Sequence, residues 1–491
     1  MAERGPSRRG FLKAAGVGAA ALAASRAGRG AAQLERKRPP NILFILLDDL
    51  GKEWVRCCGS EENLTPNVDA LAGGGIQFTN AYCMPQCTPT RVTLMTGQYP
   101  WRHGWINHWD VPRWGAGCHF DWRHNPSIAR VMKGAGYTTA AAGKWQINDF
   151  RVQPDVLTKH GFDDYCMWTG FETENPPSAE RYWNPYIHTK SGSKTYEGRF
   201  GEDVYTDFLI DFMRANVDRP MMLYYAMCLP HAPLTATPLE PDAQGKEGRF
   251  RAMVRYADRM LGKLMAALDD LGIRDNTIVF WTTDNGSSPG LSARLNGREV
   301  AGGKAVTTEN GVNAPFIVNC PGLVPAGVTT DALTDFTDML PTFAGLGGAG
   351  LPEDTVIDGR SMADVILGRA DDGPREWIMA MGAHPARIDE GGRVVPQHTY
   401  RDRVIRDKQY KLFVGTDRQS VKLVDLEADP GEEVDLLNSE APAVQAARKR
   451  LEAVERSFPA TDAAPKYDPT PPQSWDRRRD EDEGAAPAAG H

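Results

Sequence analysis

Four apolar runs of strand length each stop at residues able to do chemistry, and that pattern limits the folds open to this chain. They are Asn41–Leu47 before Asp48-Asp49, Gly136–Ala142 before Gly143-Lys144, Met221–Met227 before Cys228-Leu229-Pro230-His231, and Thr277–Thr283 before Asp284-Asn285. Continuous apolar runs of this length suit strands buried on both faces. The amphipathic stretch Phe250–Leu271 predicts a crossover helix, with Arg255, Asp258 and Arg259 on a mostly solvated face. An α/β fold follows, with its ligands beyond the carboxyl ends of the strands. Asp48 and Asp49 repel each other there unless a cation or strong donors sit between them. Capping a helix start is the alternative role for either.

Between the first two runs lies Cys87-Thr-Pro-Thr-Arg-Val-Thr-Leu-Met-Thr-Gly97. Thr88 can cap a helix and Pro89 suits its first position, so a helix is expected with Arg91 in its first turn and Cys87 just ahead of it. Unpaired N–H groups and the positive dipole end make that place an anion site, and Arg91 adds a cationic fork. A lone cysteine is more often a small core residue. On these residues alone, a nucleophile beside an oxyanion pocket and a structural thiol both stand. A thiolate phosphatase loop is disfavoured, because Cys87 and Arg91 enclose only three residues.

Cysteine, any residue, proline, any residue, arginine, with Met95-Thr96-Gly97 four positions on, resembles the signature of the type I sulfatases of the alkaline phosphatase superfamily. Further blocks follow in order: Thr65–Leu71, Gly143-Lys144-Trp145, Pro230-His231-Ala232-Pro233, Thr283–Gly286, Gly302-Gly303-Lys304, Asp338–Gly345, Asp358–Ser361 and the Asp429–Glu433 loop. The resemblance covers nearly all of residues 39–460. It implies an alkaline-phosphatase-like fold, a large central mixed sheet flanked by helices with a small C-terminal α+β subdomain.

The resemblance also implies an activity: hydrolysis of a sulfate ester through a covalent sulfoenzyme intermediate, with one Ca²⁺ ion. The nucleophile would be the hydrate of formylglycine, made from Cys87 by a formylglycine-generating enzyme during synthesis. Asp48, Asp49, Asp284 and Asn285 would hold the metal, and such an all-oxygen set suits a hard cation. Arg91, Lys144 and Lys304 would stabilise the sulfuryl group, and His231 would protonate the departing alcohol. Asp284 is a weaker choice for the base that activates the hydrate. Three positions depart from the family pattern. Thr90 stands where Ser is most common, and Asn313 replaces a common arginine, a change assigned to scaffold or substrate-loop packing. Gln146 stands where a histidine usually assists; it can donate a hydrogen bond to substrate but cannot deliver a proton. A phosphonate or phosphodiester hydrolase built on the same nucleophile is a competing reading, as is a non-catalytic exported protein that binds sulfated glycans.

Eight of the twelve tryptophans fall between Gly97 and Trp183, among them Trp101, Trp105, Trp109, Trp114 and Trp122. Their flat faces suit stacking on sugar rings, which marks Trp105 with Lys144, Lys304 and Gln146 as substrate-binding; packing of large loops on the scaffold is the alternative. A sulfated glycan is the expected substrate, within the broader class of sulfated small molecules.

The ends of the chain read differently. Ser7-Arg8-Arg9-Gly10-Phe11-Leu12-Lys13 before the alanine-rich run Ala14–Ala24 resembles a twin-arginine export signal. Residues 1–32 are therefore assigned to the twin-arginine export machinery, and the mature protein to the periplasm or the medium. The catalytic domain is expected over 39–374, and a small antiparallel sheet with a helix over 375–461. The Pro-, Asp-, Arg- and Ala-rich residues 462–491 are expected to be disordered. A net charge of −8 argues against non-specific nucleic-acid binding, and no apolar run reaches the roughly 20 residues of a membrane span. Eight scattered cysteines are too few for a disulfide scaffold.

Overall fold

The computed structural model describes residues 38–106, 118–383, 386–388, 394–396 and 398–475. Eight strands precede residue 284: β1 (Asn41–Leu47), β2 (Ile76–Tyr82), β3 (Thr138–Lys144), β4 (Asp164–Trp168), β5 (Tyr186–Thr189), β6 (Gly192–Thr195), β7 (Met221–Ala226) and β8 (Thr277–Thr283). With Phe316–Asn319 and Val328–Asp335 they form one ten-stranded sheet, ordered Val328–Asp335, β2, Phe316–Asn319, β8, β1, β7, β3, β4, β5, β6. The middle of the sheet, from β8 through β1, β7 and β3 to β4, is parallel. Phe316–Asn319 runs against both of its neighbours, and β5 and β6 continue the other edge antiparallel. The sheet is therefore mixed, as the resemblance implied.

The apolar run of β1 has no polar alternation because both of its faces are covered. Ile42, Phe44 and Leu46 join Phe280, Phe343 and Val92 on one side. Leu43, Ile45 and Leu47 join Trp281, Met253 and Leu261 on the other, the period of two that a strand imposes. The helices Cys87–Thr96 and Met339–Gly347 cover the first side. Gly201–Ala215 and Lys246–Asp270 cover the second. Among the described residues no helix is long and apolar enough to cross a membrane.

Three expectations about local structure are corrected. Asp258 is not on a solvated face: it is buried and accepts from Asn67 N at 3.2 Å and Val68 N at 2.9 Å. These are unpaired donors of the helix Pro66–Gly73, whose Thr65 makes no side-chain cap, so a long-range carboxylate replaces the local cap. The helix Cys87–Thr96 begins at Cys87 itself, with Gln86 in the capping position, so Thr88 lies inside the first turn. Pro89 is tolerated there because its missing N–H has no helical partner at that position.

The C-terminal sheet is antiparallel, in the order Ile378–Met381, Arg403–Arg406, Tyr410–Val414, Ser420–Asp425, and the helix Pro442–Arg456 packs on it. It docks on the large sheet through buried charges. Arg406 and Lys411 reach Glu309 at 3.1 and 3.0 Å. Burial pushes the Glu309 carboxyl up, but these two cations outweigh it and hold the group at about 2.

The expectation of disorder from 462 onward fails for residues 462–475. Asp462 accepts from Arg403 at 2.8 Å, Ala463 N donates to the Trp101 carbonyl at 2.8 Å, and Asp468 N donates to Asp121 at 2.8 Å. Specific polar partners on both the C-terminal sheet and the catalytic domain hold a segment whose composition is that of an unfolded chain. Residues 1–32 and 476–491 lie outside the described residues.

Beside the linker, Arg375 Nε sits 2.8 and 2.7 Å from the two carboxylate oxygens of Asp338, and its NH2 donates to Thr337 at 2.7 Å. All three groups are buried. Arg375→Met strands Asp335 and Asp338 without their cation and is expected to destabilise the protein by about 3–5 kcal/mol. Denaturant unfolding checks this, and a loss below about 1 kcal/mol would show that the cluster is dispensable.

Candidate active site

The four sequence-predicted strand ends converge. Lys144 closes β3 rather than following it, and Gly143, at φ 93°, lets β3 approach β7: a Cβ there would lie 1.8 Å from the Ala226 carbonyl oxygen. Asp48 and Asp49 follow β1, and Asp284 and Asn285 follow β8, its parallel partner. Cys87 enters from the helix on the first face of the sheet.

At the centre, the Cys87 thiol donates to Asp48 Oδ1 at 3.3 Å. Lys144 Nζ donates to Asp48 Oδ2 at 2.6 Å. Lys304 Nζ donates to Asp49 Oδ2 at 2.8 Å, as does Ser288 Oγ at 2.8 Å. Arg91 is locked by two acceptors, Asp284 Oδ2 at 2.7 Å and the Lys144 carbonyl at 3.0 Å. His231 Nε2 lies 3.7 Å from Asp49, and its side chain, 18% exposed, is more open to solvent than the fully buried Lys144 and Arg91. Its Nδ1 sits between Arg181 NH1 at 3.1 Å, which can only donate, and the Ala232 carbonyl at 2.6 Å, which can only accept.

The charges divide by environment. Burial pushes Asp48 up, yet Lys144, His231 and Arg91 together hold it well below the usual carboxylate range. Asp284 goes the other way: burial, then the charge of Asp48, raises it to about 7. Burial and then Lys304 lower His231 to about 3. Burial, followed by the carboxylates of Asp284 and Asp48, pushes the Cys87 thiol up, so the side chain is held as a neutral thiol rather than a thiolate.

Ligand atoms of Asp48, Asp49, Cys87 and His231 lie within 4.8 Å of one another, and of these the two carboxylates are donors that suit a hard cation. Asn285 Oδ1 is buried with no hydrogen-bond partner, while its Nδ2 donates to Asp49 at 2.7 Å. A buried amide oxygen left open beside paired carboxylates is an acceptor awaiting a donor or a metal. Asp49 also adopts φ 67°, a conformation unfavourable for a residue with a side chain and frequent at functional sites. Asp284 lies outside that group: its Oδ1 accepts from Asp49 N at 3.2 Å and its Oδ2 from Arg91 at 2.7 Å.

Two predicted site residues need comment. Trp105 is a correction: it is fully buried, edge-on to Phe120 with ring centroids 5.6 Å apart, so it fills the core and offers no face to a sugar. Trp101 likewise stacks on Tyr99 and Phe458, and Trp109 and Trp114 lie outside the described residues. Gln146 stands just past Lys144 at φ 66°, with its Oε1 buried and unpaired. Asn313 is scaffold, accepting from Lys52 Nζ at 2.7 Å and donating to Glu309 at 2.8 Å.

Sequence reasoning missed Arg181, Ser288 and Glu202. Glu202 accepts from Cys228 N at 2.8 Å and so anchors the loop that carries His231. No spacing rule links it to that loop. Ser288 had a signal, since it lies three residues after Asn285.

The strand ends of the parallel-centred sheet gather three carboxylates and a lysine, with Lys304, Arg91 and the helix-borne Cys87 beside them, the arrangement that the resemblance to the alkaline phosphatase superfamily implied. Comparisons with known proteins narrow it. The sulfatase family model matches residues 40–349, and that of the N-sulphoglucosamine sulphohydrolase C-terminal region matches 303–457. N-acetylgalactosamine-6-sulfatase of Canis lupus familiaris is 34% identical over 372 residues, 71% of this chain and 69% of the relative. Arylsulfatase A of Homo sapiens is 30% identical over 481 residues, 90% of this chain and 92% of the relative. The crystal structure of Ps i-CgsB superposes with a TM-score of 0.73 at 27% identity, covering 90% of this chain and 96% of the other. The chain belongs to the sulfatase family and is a sulfuric ester hydrolase.

Thr90, the departure within the signature, has a structural task. Its hydroxyl accepts from Met84 N at 3.0 Å and donates to the Asp284 carbonyl at 2.6 Å, tying the Cys87 helix to the end of β8. Thr90→Val removes both bonds without changing shape and is expected to cost about 1–3 kcal/mol. Thr90→Ser, which keeps the hydroxyl, is expected within about 1 kcal/mol of the parent. Thermal unfolding of the pair checks the assignment; equal losses would refute it.

Proposed function

We propose that this protein releases sulfate from a sulfated carbohydrate, with formylglycine made from Cys87 as nucleophile and a Ca²⁺ ion held by Asp48, Asp49, Asp284 and Asn285. The observation that carries the proposal is Cys87 at a helix N-terminus, its Sγ 3.3 Å from Asp48, within a ring of cations formed by Arg91, Lys144 and Lys304. The open oxygen of Asn285 supports the metal. The carbohydrate rests on the relatives: one is described as acting on N-acetylgalactosamine-6-sulfate, and Ps i-CgsB is known in complex with k-i-k-neocarrahexaose. The twin-arginine motif of residues 8 and 9 supports export, with the periplasm or medium as working compartment.

Formylglycine in place of Cys87 would supply a hydrate oxygen as the nucleophile. A cation bound by the four oxygen ligands supplies Lewis acidity and a template for the sulfate oxygens. The chain's own groups do the rest. Arg91, immobilised by Asp284 and the Lys144 carbonyl, presents fixed positive charge without reorganising. Lys144 and Lys304 balance Asp48 and Asp49, and both turn to negative charge developing on the sulfuryl oxygens. His231, at the solvent side, is neutral in the free protein, lowered by burial and then by the charge of Lys304. It would serve as the acid for a departing alcohol only once bound sulfate offsets that charge.

Three measurements test this. In protein made in a host that oxidises such cysteines, the peptide containing Cys87 is expected to carry an aldehyde in place of the thiol by mass spectrometry. Cys87→Ala is expected to fold normally and lose at least about 1,000-fold in sulfate release, the scale of removing a nucleophile; retained turnover would sink the mechanism. Independently of activity, Ca²⁺ at 100 times its Kd is expected to add about 2.7 kcal/mol to the stability of the chelator-treated protein. That gain should disappear in Asp49→Asn. A calcium-insensitive unfolding curve would contradict the metal site.

A further inference from the structure

We propose that Arg181 is a specificity-determining residue that binds a second oxyanion, a carboxylate or another sulfate, carried by the substrate close to the ester being cleaved. The proposal rests on the sulfatase reading and deepens it by naming a doubly anionic substrate.

The charged side chains that build the catalytic centre have counterions on the protein: Arg91 has Asp284, Lys144 has Asp48, and Lys304 has Asp49. The nearby Arg151 has Asp149. Arg181 differs. Among the described residues it forms no ion pair, and its Nε is buried without a hydrogen-bond partner. Its guanidinium carbon lies 3.9 Å from the centre of the Trp168 ring, and NH1 meets His231 Nδ1 at 3.1 Å. Trp168 is itself fixed, donating from Nε1 to the Ser178 carbonyl at 2.8 Å, and it pairs with Lys144 in the register of β3 and β4. The guanidinium is thus held over an aromatic ring, one imidazole ring away from Asp49. A partly buried cation without a counterion is costly to maintain unless a ligand supplies the charge. A planar fork with free donors matches the oxygens of a carboxylate or sulfate.

The surroundings suit a sugar that carries such a group. Trp183, 39% exposed, and Phe171, 38% exposed, lie on the same loop as Arg181. Trp183 is anchored by its Nε1 on the Ala236 carbonyl at 3.0 Å, beyond His231 on the loop that carries it. Exposed aromatic faces on the same connection as the guanidinium offer stacking surface for a sugar. The stacking role that sequence reasoning gave to Trp105 moves to this rim.

The test uses three probes with the full-length, modified protein: a neutral monosulfated hexose, the same hexose carrying a second sulfate, and a monosulfated hexuronate. The readout is the ratio of kcat/KM between each dianionic probe and the neutral one. A role confined to positioning His231 would slow all three alike and leave the ratio unchanged. The parent is expected to prefer one dianionic probe by at least about tenfold, a charge-assisted contact's worth. Which probe it prefers identifies the group as sulfate or carboxylate. Arg181→Gln is expected to bring the ratio close to one, chiefly through KM, and Arg181→Lys to retain part of the preference. No preference in the parent, or a preference that survives Arg181→Gln, overturns the assignment. If no probe releases sulfate, the carbohydrate substrate under the proposed function fails separately. The same probes are then titrated calorimetrically into the parent and Arg181→Gln proteins. Tighter binding of a dianionic probe that requires Arg181 still supports the site, and any other result overturns it.

Discussion

Two adjacent carboxylates at the end of a completely buried strand are the constraint on which the rest of this structure depends. Asp48 and Asp49 cannot both stay ionised in a dry interior unless positive charge is brought to them. Lys144 arrives from β3, Lys304 from the loop after β8, and Arg91 from the Cys87 helix with its own partner Asp284. The elements that deliver these groups lie on different parts of the chain, so closing the charge balance also fixes their mutual positions. The same balance creates the chemistry: cations gathered to neutralise two aspartates also face whatever tetrahedral anion enters.

Much of this was legible in the sequence, for a definite reason. Strands covered on both faces must be apolar throughout, so their ends stand out as abrupt changes to Asp, Lys or His. β1 and β8 fall on the expected residues, and the residues after them meet in space. What stayed hidden depends on contacts between distant segments. Asp258 looks like one more surface charge on an amphipathic helix until the helix Pro66–Gly73 is seen resting its open N–H groups on it. Arg181 lies in a loop with no periodicity, and only the fold brings it to Trp168 and His231.

The tryptophans and the C-terminal segment show composition misleading in opposite directions. Trp101 and Trp105 sit in polar, glycine-broken sequence, yet both pack inside because large loops need anchors of their own. Residues 462–475 have the makeup of a solvated tail, yet Asp462 pairs with Arg403 of the C-terminal sheet and Asp468 N donates to the Asp121 carboxylate of the catalytic domain. In each case the deciding term is a specific contact, which composition does not encode.

The burial of Cys87 imposes an order in time. Its side chain is 2% exposed, and its helix is fastened to the end of β8 through Thr90. If Cys87 is converted to formylglycine as proposed, the modifying enzyme needs access to a thiol that the folded protein buries. Conversion would then precede folding, and a molecule that folded first would keep its thiol for good.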